Sequence, residues 1–174
     1  MPAMRSFPLL LSFVARSQQI SPHRSFLSRS ITRNMSSTTA EEDIKSVIYG
    51  QFQGFFDVTK DFSQEKYDEL WAKYWKPDAV LIRPSGNPMG KEIWGQMLSS
   101  DAIDYISGEI LEVNSVDVFA GGAAAVATYT THDKFTYMGT PNDDIAKFTV
   151  VLEKQGDGTW IIVHGHRGTG QKPE

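Results

Sequence analysis

The sequence predicts an α+β fold, with three helices gathered ahead of an antiparallel sheet. Three observations predict it. Between about residues 40 and 98 the apolar side chains recur mostly at helical spacing. From about residue 107 to residue 167 the period changes to two. The turns between the period-two runs are short and rich in Gly, Asn and Asp, so the strands are consecutive and antiparallel.

The first helix is expected from Thr38 and Thr39, which with Glu41 and Glu42 three residues on form a capping box. Ile44, Val47, Ile48, Phe52, Phe55 and Phe56 make its apolar stripe, and Lys60-Asp61-Phe62-Ser63 breaks it. A second helix carries Tyr67, Leu70, Trp71, Tyr74 and Trp75 on one side and stops at Pro77. Such a stripe usually belongs to a core. Ala79–Arg83 is a short strand ended by Pro84, and Ser85-Gly86-Asn87-Pro88 is a turn. A third helix over Lys91–Leu98 presents Ile93, Trp94 and Met97.

Four strands follow, at Ser107–Phe119, Ala123–Tyr137, Ile145–Lys154 and Thr159–Arg167. Gly121-Gly122, Gly139–Asp143 and Asp157-Gly158 separate them. In the last strand Ile161, Val163, Gly165 and Arg167 share one face, assigned to the interior. Trp160, Ile162, His164 and His166 share the other. Three helices cover one face of such a sheet, so the second face is polar or meets a partner.

The 174 residues allow one domain, and the charge divides them. Residues 1–35 hold five arginines, many serines, no lysine and no acidic residue. That is the composition of a transit peptide, mitochondrial first and plastid as the alternative. A secretory signal over Phe7–Ala15 fits less well, because that run is short and more arginines follow it. Met35 is a possible internal start that would give a cytosolic form. Residues 36–169 form the domain and residues 170–174 a tail. From residue 36 onward 12 Lys+Arg face 21 Asp+Glu, a formal charge of −9, which argues against nucleic acid. No apolar run is long enough to span a membrane. The absence of cysteine removes disulfides, thiol catalysis and Cys-based metal sites. No cofactor motif is present: no Gly-rich phosphate loop follows a strand, and no nucleophile motif occurs.

Over most of residues 40–169 the chain resembles the NTF2-like superfamily, in particular its SnoaL-like and DUF4440 branch. The likeness lies in Leu70-Trp71, Pro77–Ile82 with Pro84-Ser85-Gly86, the helix start Gly90–Ile93, and Gly156–Trp160 leading to the final strand. The ending Val163–Arg167 is similar to that of the association domain of calcium/calmodulin-dependent kinase II. The resemblance implies an NTF2-like cone, three helices packed in a curved antiparallel sheet with a pocket at the open end. It also implies a homodimer through the outer face of the sheet. The superfamily holds enzymes and non-enzymes, so fold alone does not choose a function.

Arg167 matches the pocket arginine of the kinase association domain. The alternative is an internal salt bridge to a helix carboxylate. Arg83 stands where ketosteroid isomerases carry their catalytic carboxylate, and a guanidinium cannot abstract a proton. With Arg167 as the expected main anchor, Arg83 is a candidate second group for binding a carboxylate or phosphate, and the alternative is a solvated arginine at a strand end. Ten of the twelve basic residues after Met35 are lysines, and the two arginines both end apolar strands, where a planar five-donor fork suits a carboxylate. His132, on the parity of Thr128 and Thr130, is assigned to the interior and is the candidate acid–base group. Tyr49, Trp71 and Trp94 are candidates to line the pocket from the helical side, with Tyr67 and Trp75. His164 and His166 lack further ligands for zinc and are assigned to interface packing.

The sequence therefore predicts a homodimeric domain that binds a small organic anion, without metal, cofactor, nucleic acid or membrane. Two alternatives stand beside it: a dehydratase, isomerase or cyclase using His132 or a tyrosine, and an oligomerisation module with a vestigial pocket.

Overall fold

The computed structural model describes residues 33–100, 102–168 and 170–172. The transit reading falls on residues 1–35, of which 1–32 lie outside the described residues. Three helices, α1 (Arg33–Lys60), α2 (Gln64–Tyr74) and α3 (Lys91–Ser99), pack on one six-stranded sheet. Its strands are β1 (Trp75–Ile82), β2 (Pro88–Gly90), β3 (Ile103–Phe119), β4 (Ala124–Tyr137), β5 (Thr140–Lys154) and β6 (Trp160–Arg167).

The strand order is β2-β1-β6-β5-β4-β3. β3 to β6 form the expected antiparallel meander. The expected curved antiparallel cone is corrected on two counts. β1 runs parallel to β6, so the sheet is mixed, and the sheet is open rather than closed or strongly curled. The cause of the mixture is non-local. The first strand pairs with the last one, some eighty positions away, and no short-range pattern announces such a pairing.

Local chemistry explains the remaining boundaries. α1 is already under way at Thr38 and Thr39, so they do not start it as expected. Ser63 caps α2, its hydroxyl accepting from the Lys66 amide at 3.2 Å. α2 gives way directly to β1 at Trp75, two residues before the proline expected to stop it. Pro77 lies where β1 and β6 lose register between Trp75 and Val80, a place that tolerates a missing N–H donor.

The core lies between helices and sheet. Ile44, Ile48, Tyr67, Trp71 and Leu98 meet Tyr129, Val150, Leu152 and Ile162 there. Trp71 and Trp75 stack at 5.2 Å between ring centroids. Of the apolar side expected for α3, Trp94 is buried but Ile93 is exposed.

The last strand departs from simple alternation. Leu152 pairs with Ile162 and Val151 with His164, so Val163 is an extra residue, a β-bulge. Trp160 and Ile162 face the core before the bulge, and Gly165 and Arg167 face the same side after it. The expected outward placing of Trp160 and Ile162 is thus corrected, while Arg167 faces inward as expected. A Cβ on Gly165 would lie 2.8 Å from Leu81 Cδ1 and 3.2 Å from Trp75 Cη2, so only glycine fits beneath those side chains.

Candidate functional site

A cavity of about 510 Å³ opens between α1, α3 and the inner face of the sheet. α1 turns Gln51, Phe52, Phe55 and Phe56 toward it, and α3 adds Trp94 and Met97. The sheet supplies Tyr105, Tyr129, Phe135 and Phe148. Phe55 and Trp94 meet edge to face at 4.4 Å, and Tyr129 stacks on Phe148 at 5.1 Å. The wall is therefore mostly aromatic, with a few charged groups set into it.

Those groups converge through strand register. β4 turns Ala125, Ala127, Tyr129, Thr131 and Asp133 inward, none more than 3% exposed. Asp133 pairs across the sheet with Asp144 of β5, and both line the cavity. The Arg167 guanidinium lies 3.1 Å from Asp144 Oδ2, to which it donates, and 3.7 Å from Asp133 Oδ2. It also lies over the Phe135 and Phe148 rings, at 5.6 and 5.9 Å. The internal salt bridge weighed for Arg167 exists, but its partners come from the sheet and not from a helix. Thr131 donates to Asp133 Oδ2 at 3.0 Å.

Burial raises the Asp133 carboxyl above its ordinary range. Arg167 and Thr131 pull it down, and Asp144 adds to the rise. Burial likewise pushes the Tyr129 hydroxyl up, although it accepts from Gln51 Nε2 at 3.2 Å.

Arg83 follows β1 directly. Ile82 pairs with His166, so the register sets Arg83 beside Arg167. Two guanidiniums thus reach one end of the cavity, but the carboxylates there are taken by one of them. Among the described residues Arg83 forms no ion pair. Its buried Nε has no hydrogen-bond partner among the described residues. Neither has Trp94 Nε1, nor Asp133 Oδ1.

Of the residues singled out from sequence, Arg167, Arg83, Trp94 and Trp75 therefore reach the cavity, and Tyr67 does not. Trp71 does not; it packs in the core, its Nε1 donating to the Lys76 carbonyl at 3.1 Å. Tyr49 is half exposed on α1 and also lies off the cavity wall. His132 takes the opposite face of β4 from the one expected. Its Nε2 lies 2.6 Å from Asp143 Oδ1 and its Nδ1 3.9 Å from Glu109 Oε1. His132 is therefore on the outer side, with Thr128 and Thr130, and Asp133 is the titratable group of β4 inside. Sequence reasoning missed the roles of Asp133 and Asp144. The signal was available in Ala125 and Ala127, small residues at the inward parity where the helices press on the sheet.

No group of three His, Asp or Glu that could hold a metal occurs among the described residues. None of the helices described is long and apolar enough to cross a membrane.

Residues 52–173 match the family described as "Protein of unknown function (DUF3804)". The chain belongs to the DUF3804 family. Its fold is NTF2-like. A solved NTF2-like protein of unknown function from Prochlorococcus marinus is 32% identical, over 64% of this chain and 85% of that one, with a TM-score of 0.54. More distant structures share the fold alone. One is a ketosteroid isomerase-like protein from Erwinia carotovora atroseptica, 19% identical over 76% of this chain and 96% of that one, TM-score 0.55. Another is the S. rosetta CaMKII hub, 16% identical over 75% and 95%, TM-score 0.55. No curated protein matches this DUF3804 chain.

Proposed function

We propose that this DUF3804 domain binds a small organic anion with an apolar, ring-bearing body. One observation carries the reading. Four buried side-chain nitrogen or oxygen atoms among the described residues lack a partner, and three of them, on Arg83, Trp94 and Asp133, belong to residues lining one cavity. A buried polar group left unpaired costs about 1–3 kcal/mol, so native proteins keep few of them. Their gathering at a cavity fits a site completed from outside.

The chemistry of the donors selects an anion. Arg83 brings a guanidinium, a group that is cationic at any working pH, and no carboxylate of the described residues pairs with it. Its guanidinium and the Trp94 N–H offer donors to a carboxylate, while Phe55, Phe135 and Phe148 take an apolar body. Arg83 is thus the main anchor. Arg167, already held by Asp144 and Asp133, is the second cation that tunes the end of the cavity. An open volume of about 510 Å³ favours ligand binding over a module with a vestigial pocket.

Aromatic and aliphatic carboxylates should raise the melting temperature. A ligand at a hundredfold excess over Kd stabilises by about 2.7 kcal/mol. Arg83→Met should remove the response without unfolding the domain, and a response that survives Arg83→Met would reject the anchor. The outer face of the sheet carries half-buried Val126, Val151, Ile161 and Val163, which supports a homodimer through that face.

A further inference from the structure

We propose that the ligand is a hydroxy acid: a ring-bearing carboxylate that also carries a hydroxyl group, bound by Asp133. This deepens the organic-anion reading and rests on it.

Arg83 Nε and Trp94 Nε1 are donors, and they account for the acid end. Asp133 Oδ1 has the opposite need. It belongs to a side chain only 5% exposed, it lines the same cavity, and it has no partner among the described residues. When Asp133 is ionised, a simple carboxylate leaves that oxygen unmet and is repelled by it. The ligand must bring a hydrogen-bonding group of another kind to that oxygen.

The geometry separates a hydroxyl from an ammonium. Asp133 Oδ2 is already used, by the Thr131 hydroxyl at 3.0 Å and the Arg167 guanidinium at 3.7 Å. The nearer of Arg167's two carboxylate partners is Asp144, at 3.1 Å. One acceptor oxygen is therefore left at Asp133. An ammonium brings three N–H groups and a full charge, of which the one open oxygen of Asp133 meets a single N–H. A hydroxyl brings one O–H and matches one oxygen. It also suits either charge state of the carboxyl, donating to the anion or accepting from the acid. The aromatic wall beside these groups takes the ring of the ligand.

The test is isothermal calorimetry on the full chain with matched aromatic acids. Phenylacetate is compared with its 2-, 3- and 4-hydroxy derivatives, with 4-(aminomethyl)phenylacetate, and with 4-cresol. At least one hydroxy acid should bind about tenfold or more tighter than phenylacetate, since a site built for a hydroxyl penalises its absence. The amino acid analogue and 4-cresol should be weaker than that hydroxy acid. Asp133→Ala should erase the preference for the hydroxy acid over phenylacetate. Asp133→Asn, which keeps an acceptor oxygen and the shape, should retain part of it and guards against an unfolded alanine variant. If phenylacetate binds as well as every hydroxy derivative, or the aminomethyl analogue binds best, the hydroxy-acid proposal is wrong and the anion reading stands. Binding of 4-cresol alone, or of none of the probes, would reject both.

Discussion

His132 and Asp133 are neighbours on one strand, and the sheet sends them to opposite worlds. His132 lies outside, with Asp143 on one ring nitrogen and Glu109 near the other, all three within reach of water. Asp133 lies inside, its side chain 5% exposed, with one oxygen held by Thr131 and Arg167 and the other unpartnered. Both carry a titratable group in an ion-pair cluster. Solvent screens the outer cluster, and exposed pairs of that kind contribute little. Burial leaves the inner one unscreened, so each unmet valence there matters for stability and for what can bind. Function on this sheet follows the dry face.

The comparison breaks most sharply at the β6 bulge. Ile162 is fully buried in the core and its neighbour Val163 is the bulged residue of the outer side. Ile162→Asp places an uncompensated charge in the core, a loss of several kcal/mol out of a total stability of about 5–15. It should abolish cooperative unfolding by circular dichroism. Val163→Asp should leave the fold intact and instead halve the sedimentation mass, if the outer face holds a second copy. Equal damage from both substitutions would mean that the bulge does not separate the faces. A wild-type mass of one chain at micromolar concentration would remove the homodimer.

A smaller effect tests the inner carboxyl. Burial raises Asp133 in the folded protein despite Arg167 and Thr131. The other groups facing it are Asp144 of β5, Tyr105 of β3 and Tyr129 of β4, and His132 acts on it from the opposite face of the sheet. A carboxyl with a raised folded value contributes fully below its unfolded pKa and loses that contribution as pH rises through the folded one. Asp133→Asn should therefore raise the melting temperature at neutral pH. The advantage should shrink as pH falls through the carboxylate range. A lower melting temperature at neutral pH would mean that the Arg167 pairing outweighs desolvation.

The smallest effect belongs to the outer cluster. His132→Gln should leave the melting temperature and carboxylate binding unresolved from wild type. A lost ligand response would place His132 in the binding machinery after all.

Much of this was legible in the sequence. The three helices, the four long strands and their turns follow from periodicity, and Arg83, Arg167 and Trp94 follow from chemistry at strand ends and on a helix. Three features were not. A bulge has no signature in Trp160-Ile161-Ile162-Val163, where every residue suits either face. The β1–β6 pairing is parallel and distant. The parity of β4 was ambiguous because Val126, Thr128 and Thr130 have strong strand propensity, while Ala125 and Ala127 are small for a packed core. The helices decide there, since they leave room only for small residues until Tyr129. That choice of parity hid Asp133.

The tryptophan indoles offer the most direct measurement. Trp94 Nε1 and Trp160 Nε1 are both buried and unpartnered, but only Trp94 lines the cavity. Trp71 Nε1 is already bound to a backbone carbonyl. In a ¹⁵N-labelled sample titrated with 4-hydroxyphenylacetate, the Trp94 indole N–H resonance should shift downfield as it gains an acceptor, and those of Trp71 and Trp160 should stay in place. A saturable binding event that leaves Trp94 unmoved, or moves Trp160 instead, would contradict the cavity as the site.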